Sequence, residues 1–205
     1  MQIALIYERY SQILDICKLY GVNKERKDDY GGLVGHVLHL KNDYLMVPCV
    51  GCMHMYNTLY CLHRKYGFEI FIRIGTCGVL DKKISLGSTI LVEKAINRDA
   101  LSEKYFSDVK PIATEYLFSY IEKHMKLPVF NTYTIDVTWE TAKGSAATVD
   151  METSALYSYA NKNNLQAVSI SVARDNKEGR IKNESWHILI EDNTQKVIDI
   201  LEECY

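Results

Sequence analysis

Apolar positions along the chain alternate between a two-residue and a helical period. Gln2 to Tyr7 is a short apolar run suited to a strand, and Tyr10 to Tyr20 follows with Ile13, Leu14, Cys17 and Leu19 on one helical face. Tyr44 to Val47 predicts a second strand, Cys52 to Tyr66 a helix with Met55, Leu59 and Leu62 on one side, and Glu69 to Ile74 a third strand rich in isoleucine. Thr89 to Ala95 predicts a fourth strand, Ala113 to Met125 a helix, Val129 to Val137 a fifth strand and Val149 to Asn163 a helix. Ala167 to Ala173 predicts a sixth strand, and Ser185 to Cys204 closes the chain as a helix. This alternation predicts an α/β fold, a three-layer sandwich with a central mixed, mostly parallel sheet flanked by helices. In such sheets ligands bind outside the carboxyl ends of the strands, so those ends are where chemistry is to be sought.

Composition narrows the picture. With 205 residues, 47% of them apolar, and only three well-separated prolines, the chain reads as a single domain over residues 1–205, without a linker, Gly/Ser tract or internal repeat. The formal net charge of −2 leaves no global basic field for nucleic acid or an anionic membrane, so any anion site must be local. No run approaches the 18 or so apolar residues of a bilayer span, and Ile3 to Tyr7 is too short for a signal-peptide core. The expectation is a cytoplasmic protein, in keeping with six cysteines scattered among apolar neighbours as reduced thiols. Cys49 and Cys52, with His54 nearby, lack the further ligands a four-coordinate zinc needs, so packing and turn formation is their expected role, and no metal is expected.

Three strand ends carry unusual residues. In Ile70-Phe71-Ile72-Arg73-Ile74-Gly75-Thr76-Cys77-Gly78 an arginine interrupts a hydrophobic strand, so it must pair with a carboxylate or face a bound anion. Gly75 and Gly78 would let backbone amides approach a ligand, and the Thr76 hydroxyl adds a donor; the bland alternative is a structural salt bridge followed by a tight turn. In Val149-Asp150-Met151-Glu152-Thr153-Ser154 the two acids either cap the following helix or accept hydrogen bonds from a vicinal diol such as a ribose, with Met151 against the sugar face. The strand Val168 to Ala173 ends abruptly in Arg174-Asp175-Asn176, which is either an Asx turn or a carboxylate placed to donate a proton.

In this order, the three segments resemble those of the nucleoside phosphorylase and nucleosidase superfamily, which includes hexameric purine nucleoside phosphorylase, uridine phosphorylase and methylthioadenosine nucleosidase. Arg-Ile-Gly-Thr-Cys-Gly looks like the family's phosphate and base segment, Val-Asp-Met-Glu-Thr-Ser-Ala like its ribose segment, and Arg-Asp-Asn like its catalytic segment. The resemblance implies that Arg73 and Thr76 hold phosphate, that Cys77 and Gly78 border the base, and that Met151 and Glu152 hold the ribose. Asp175 becomes the general acid at purine N7, and Trp139 falls near where the family places an aromatic residue against the base; the alternative for Trp139 is a core role. The implied activity is phosphorolysis of a purine nucleoside to free base and ribose 1-phosphate, with inorganic phosphate as co-substrate, no cofactor, and a homodimer or trimer of dimers as the assembly.

The choice of purine and of phosphate rests on two positions. Uridine phosphorylases lack an acid where Asp175 stands, and nucleosidases lack the strand arginine. Hydrolysis of a purine nucleoside or thionucleoside, and a non-catalytic nucleoside-binding member of the family, are the alternatives. The N-terminus departs from the phosphorylase pattern: the phosphate loop Gly-Asp-Pro-x-Arg is replaced by Tyr7-Glu8-Arg9-Tyr10, so either Arg9 substitutes for it or Glu8 activates water as in nucleosidases. Arg174 replaces a small residue beside the expected acid, where it would hold Asp175 ionised until substrate binds.

Overall fold

The structure is a computed structural model and describes residues 2–22, 35–136 and 145–204. Strands and helices follow in the order β1 (Gln2–Tyr7), α1 (Tyr10–Leu19), β2 (His36–His39), β3 (Asp43–Pro48), α2 (Cys52–Tyr66), β4 (Ile70–Val79) and β5 (Thr89–Arg98). After these come α3 (Ala100–Tyr105), α4 (Glu115–Met125), β6 (Val129–Ile135), β7 (Thr148–Asp150), α5 (Thr153–Lys162), β8 (Gln166–Asp175) and α6 (Asn183–Cys204). No helix among the described residues is long and apolar enough to cross a membrane.

The expected three layers are present. Alternate residues of β1 point to opposite faces: Ile3, Leu5 and Tyr7 pack with Ile13 and Ile16 of α1 and with Ile190, Val197 and Leu201 of α6, while Ala4 and Ile6 pack with Met55 and Leu59 of α2 and Ala155 and Leu156 of α5. Both faces being covered, the central strands are largely apolar, and every residue of β4 is buried, Arg73 and Thr76 included.

The eight strands run in the order β2-β3-β1-β4-β7-β6-β5-β8, and β8 also pairs with β4, so β4, β7, β6, β5 and β8 close a ring. Pairing is parallel for β1 with β3 and β4, for β4 with β8, for β5 with β6 and for β6 with β7, and antiparallel elsewhere. One edge of β4 is shared by two partners. Strand β1 covers it from Ile70 to Arg73, and β7 takes over at Gly78 and Val79, leaving residues 74–77 between them without a strand on that side.

The structure corrects several expectations. Arg73 to Val79 continues as strand through Gly75 and Gly78 instead of breaking into a tight turn, with a register shift at Cys77/Gly78. The ring explains this: β8 pairs with the whole of β4 and holds it extended. Val149 and Asp150 belong to β7, so α5 starts at Thr153 and not at Val149. Strands β2 and β7 and helix α3, at four, three and six residues, are too short for periodicity to reveal.

The Tyr157 hydroxyl of α5 is buried where β5 meets β8, donating to the Val92 carbonyl and accepting from the Ser169 N–H. Tyr157→Phe leaves both backbone groups without that partner and is expected to destabilise the fold by about 1–3 kcal/mol, read as a lower urea midpoint with unchanged m-value.

Candidate active site

The site grows from the problem posed by Arg73. Its side chain is buried in the centre of β4, where an uncompensated guanidinium is untenable. Nη2 donates to Glu152 Oε2 at 2.7 Å, to Glu8 Oε1 at 3.1 Å and to the Thr76 carbonyl at 3.1 Å, while Nη1 reaches Ser171 Oγ at 3.0 Å and Ser169 Oγ at 3.4 Å. Asp150 Oδ2 lies 3.9 Å from Nη1. The side chain runs along its own strand over Gly75, where an added Cβ would stand 2.7 Å from Arg73 Cζ and 2.8 Å from Glu8 Oε1. Glycine two residues after the arginine is therefore a steric requirement of the cluster.

Glu8 lies just past the end of β1. Its carboxylate fills the opening on the β4 edge, accepting from the Thr76 N–H and, at 2.9 and 3.0 Å, from Thr76 Oγ1. The donors expected to hold phosphate are thus engaged by a carboxylate of the chain itself. Glu152 is held from two sides, by Arg73 and by the Gly51 N–H at 2.7 Å. Gly51 opens α2 at φ +82°, a conformation that favours glycine. Asp150 accepts from Thr134 Oγ1 at 2.7 Å and from the Thr153 N–H at 3.3 Å, so it is the acid that caps the start of α5, leaving Glu152 for the cluster.

These groups line a cavity of about 650 Å³ at the carboxyl end of the sheet. Thr76, Cys77, Gly78, Met151, Glu152 and Asp175 all reach it, and Arg73 stands behind Glu8 and Glu152. Trp139 lies outside the described residues. Sequence reasoning left Glu8, Arg9 and Arg174 as departures from a pattern, yet all three line the cavity; Asp136, also lining it, went unnoticed because a lone aspartate after a strand carries no distinguishing signal. Cys52, Asp99 and Asp136 bring ligand atoms within 4.8 Å of one another, but burial pushes the Cys52 thiol far up and Asp99 is engaged by the Ser102 N–H and Ser154 Oγ, which suits packing better than a cation.

Electrostatics follow from one guanidinium facing three carboxylates. Burial opposes the charge on Arg73, but Glu152, Asp150 and Glu8 more than compensate, and its pKa lies above the ordinary value. Burial likewise drives Glu152 up to about 7, with Arg73 pulling it down and Glu8 and Asp150 pushing it further up. Glu152 therefore keeps its proton well above the ordinary carboxylate range. Asp175 is also raised, by burial, against the opposing pull of Arg174 and Arg180; Arg180 Nε lies 3.4 Å from its Oδ2. A raised carboxyl at a strand end is the arrangement a general acid needs.

A family model, the phosphorylase superfamily, matches residues 46–204, and the chain belongs to that family. Over 162 residues the chain is 30% identical to a DeoD-type purine nucleoside phosphorylase of Geobacillus sp. (strain WCH70), an alignment covering 71% of this chain and 66% of that protein. The chain thus spans about two thirds of this relative's length. Purine nucleoside phosphorylases use phosphate as co-substrate and need no cofactor. The fold matches the 5'-methylthioadenosine/S-adenosyl homocysteine nucleosidase of Campylobacter jejuni with a TM-score of 0.82 at 12% identity, covering 99% of both chains. It matches the purine nucleoside phosphorylase of Toxoplasma gondii, solved with immucillin-H, with a TM-score of 0.77 at 15% identity, covering 99% of this chain and 92% of that one.

Two outcomes follow from the cluster. Because the folded state binds a proton that the unfolded chain has released, stability is fullest below the ordinary glutamate value of 4.5 and falls as pH rises through about 7. Asp175 adds to the same slope, so the expected result is a shallower pH dependence of urea unfolding in Glu152→Gln than in the parent, not a flat one. Gly75→Ala drives a methyl into Arg73 and Glu8 and is expected to cost about 1–3 kcal/mol, measured by the same unfolding curves.

Proposed function

We propose that this chain cleaves the N-glycosidic bond of a purine nucleoside, with Asp175 as general acid, Met151 and Glu152 at the ribose, and Glu8 activating water as nucleophile. The observation that carries the choice of water is the Glu8 carboxylate seated on the Thr76 N–H and hydroxyl beside Arg73. Phosphate in that place would add nearly two negative charges next to Glu8, Glu152 and Asp150, where Arg73 supplies the balancing cation. Water brings no charge, and the carboxylate is there to take its proton.

Cleavage proceeds as the C1′–N9 bond breaks and its electron pair goes to the purine, whose N7 takes the proton of Asp175. The ribose becomes cationic, and the negative cluster beneath it stabilises that charge. Water adds to C1′ as Glu8 accepts its proton, and the products are free base and ribose. Hydrogen bonds from the ribose hydroxyls to Glu152 orient the sugar. Exposed Val50 and Met151 line the cavity with apolar surface, fitting a homo-oligomer in which a neighbouring copy covers the mouth.

The second reading is phosphorolysis, favoured by the segment Arg73 to Gly78 and by the DeoD-type relative. It requires phosphate to displace the Glu8 carboxylate from Thr76. Base release from adenosine and inosine, measured with and without phosphate, separates the two: equal rates are expected for hydrolysis, and strict phosphate dependence would overturn it. Glu8→Gln is expected to lower kcat by about 10²–10⁴-fold with a small change in KM if water is the nucleophile. If phosphate is the nucleophile, the same variant removes a repulsive charge and lowers the KM for phosphate. Asp175→Asn is expected to abolish turnover of purine nucleosides on either reading.

A further inference from the structure

The pleat of the sheet sorts the residues at the ends of β1 and β8 onto two faces. On β1, Ile3, Leu5 and Tyr7 pack toward α6 and Arg9 continues their row in extended conformation, whereas Ala4 and Ile6 pack on the other face and Glu8 continues theirs. On β8, Val168, Ile170 and Val172 lead to Arg174 on the α6 face, whereas Ser169 and Ser171, which meet Arg73, lead to Asp175. Arg9 and Arg174 both stack on Trp186 of α6, with their Cζ atoms 5.3 and 5.1 Å from the ring centroid. Glu8 and Asp175, the two carboxylates with chemical roles in the proposed reaction, thus each have as chain neighbour an arginine fixed to the same ring.

The dimensions agree with such a link. Strands β1 and β8 flank β4, so their ends lie two strand spacings apart, about 9–10 Å. The two guanidinium carbons, one ring between them, are separated by at most about 10 Å. Trp186 is fully buried in the core that holds Tyr7, Val172 and Ile190, which makes the ring a fixed post. Among the described residues, neither arginine has a carboxylate oxygen within 4.0 Å, and the buried Nε of Arg174 donates to nothing. Stacking, and not an ion pair, therefore holds both side chains; the ion partner of Asp175 is Arg180. The Arg9 backbone is pinned as well, its N–H donating to Gln12 Oε1 at 2.7 Å.

We propose that Trp186 is a positioning residue of this enzyme: through Arg9 and Arg174 it sets the spacing between Glu8 and Asp175 across the cavity. The inference rests on the hydrolytic reading above, in which Glu8 takes a proton from the water that attacks C1′ while Asp175 protonates N7. Both carboxyl groups must be in place in the same transition state, where a displacement of about 1 Å can cost about 10²-fold in rate. The buried ring itself touches no substrate, and Met151 and Glu152 hold the ribose, so loss of the ring lowers kcat and leaves nucleoside affinity in place.

Steady-state kinetics of the full chain with adenosine and inosine in the absence of phosphate test this. For each variant kcat is taken on the plateau of its pH profile, so that a changed ionisation of Asp175 moves the limb of the profile and not the value compared. Trp186→Leu is expected to lower kcat by about ten- to a hundredfold with KM little changed, and Trp186→Phe, which keeps an aromatic face for the guanidiniums, to restore most of the loss. The decisive comparison is a double-mutant cycle: in the Arg9→Gln/Arg174→Gln background, Trp186→Leu should lower kcat no further. Additive losses, or a Trp186→Phe protein as slow as Trp186→Leu, mark the ring as ordinary core and overturn the role. Should Trp186→Leu not fold, Arg9→Gln and Arg174→Gln, at an exposed and a half-buried position, decide the matter. Each is then expected to lower plateau kcat by about tenfold or more at unchanged KM, and a plateau equal to that of the parent, or a loss confined to KM, is the negative result. A parent protein that releases no base, or releases it only with phosphate, overturns the proposed activity and this role together; an active parent with additive variants overturns the role alone.

Discussion

A guanidinium buried in the middle of a sheet governs the architecture of this protein. Arg73 sits in a strand whose residues are all buried, and apart from the Thr76 carbonyl of its own strand the groups that make its burial tolerable come from other parts of the chain: Glu8 after β1, Asp150 and Glu152 around the start of α5, Ser169 and Ser171 on β8. Breaking such a buried pair by deleting one partner typically costs about 3–5 kcal/mol, whereas an exposed pair such as Lys82 with Glu178 contributes between zero and about 1 kcal/mol. The cluster therefore binds the carboxyl ends of the central strands to one another more firmly than the surface ion pairs do. It also makes the floor of the cavity acidic, because three carboxylates surround one cation there.

The opening for this cluster is topological. Strand β1 leaves the edge of β4 after Arg73 and β7 joins it at Gly78, so the Thr76 N–H faces no strand. A side-chain carboxylate from the residue following β1 takes the place of a ladder partner. That substitution gives the cavity its carboxylate floor, and it arises where a sheet changes partners, the usual location of ligands in α/β folds.

Much of the fold was legible because it is locally coded. Strand β1 and helix α2 begin and end where periodicity predicts, and the longer helices follow closely, since an amphipathic face repeats over several turns. What failed was decided by neighbours. Gly75 and Gly78 read as a turn, yet pairing with β8 keeps them extended. Asp150 and Glu152 read together as acids that either cap the helix or grip a diol, yet only the former caps α5 and the latter turns to Arg73. Arg9 and Arg174 read separately, one as a stand-in for the phosphate loop and the other as the neighbour that holds Asp175 ionised, because nothing in the chain order says that both meet Trp186.

By itself, the sequence determined that this is an α/β layered chain with an arginine that demands an anion, and its motifs pointed to nucleoside chemistry at three strand ends. Which anion answers the arginine was a tertiary decision. Glu8 and Glu152 lie 65 and 79 residues from Arg73 along the chain, and spacing carries no information over such separations. Only the parallel placement of β1 beside β4 brings the first carboxylate to the opening, and only the return of the chain through β7 brings the second. The physical reason is that periodicity records which face of an element is buried, whereas the charge balance of a buried site depends on which elements converge there.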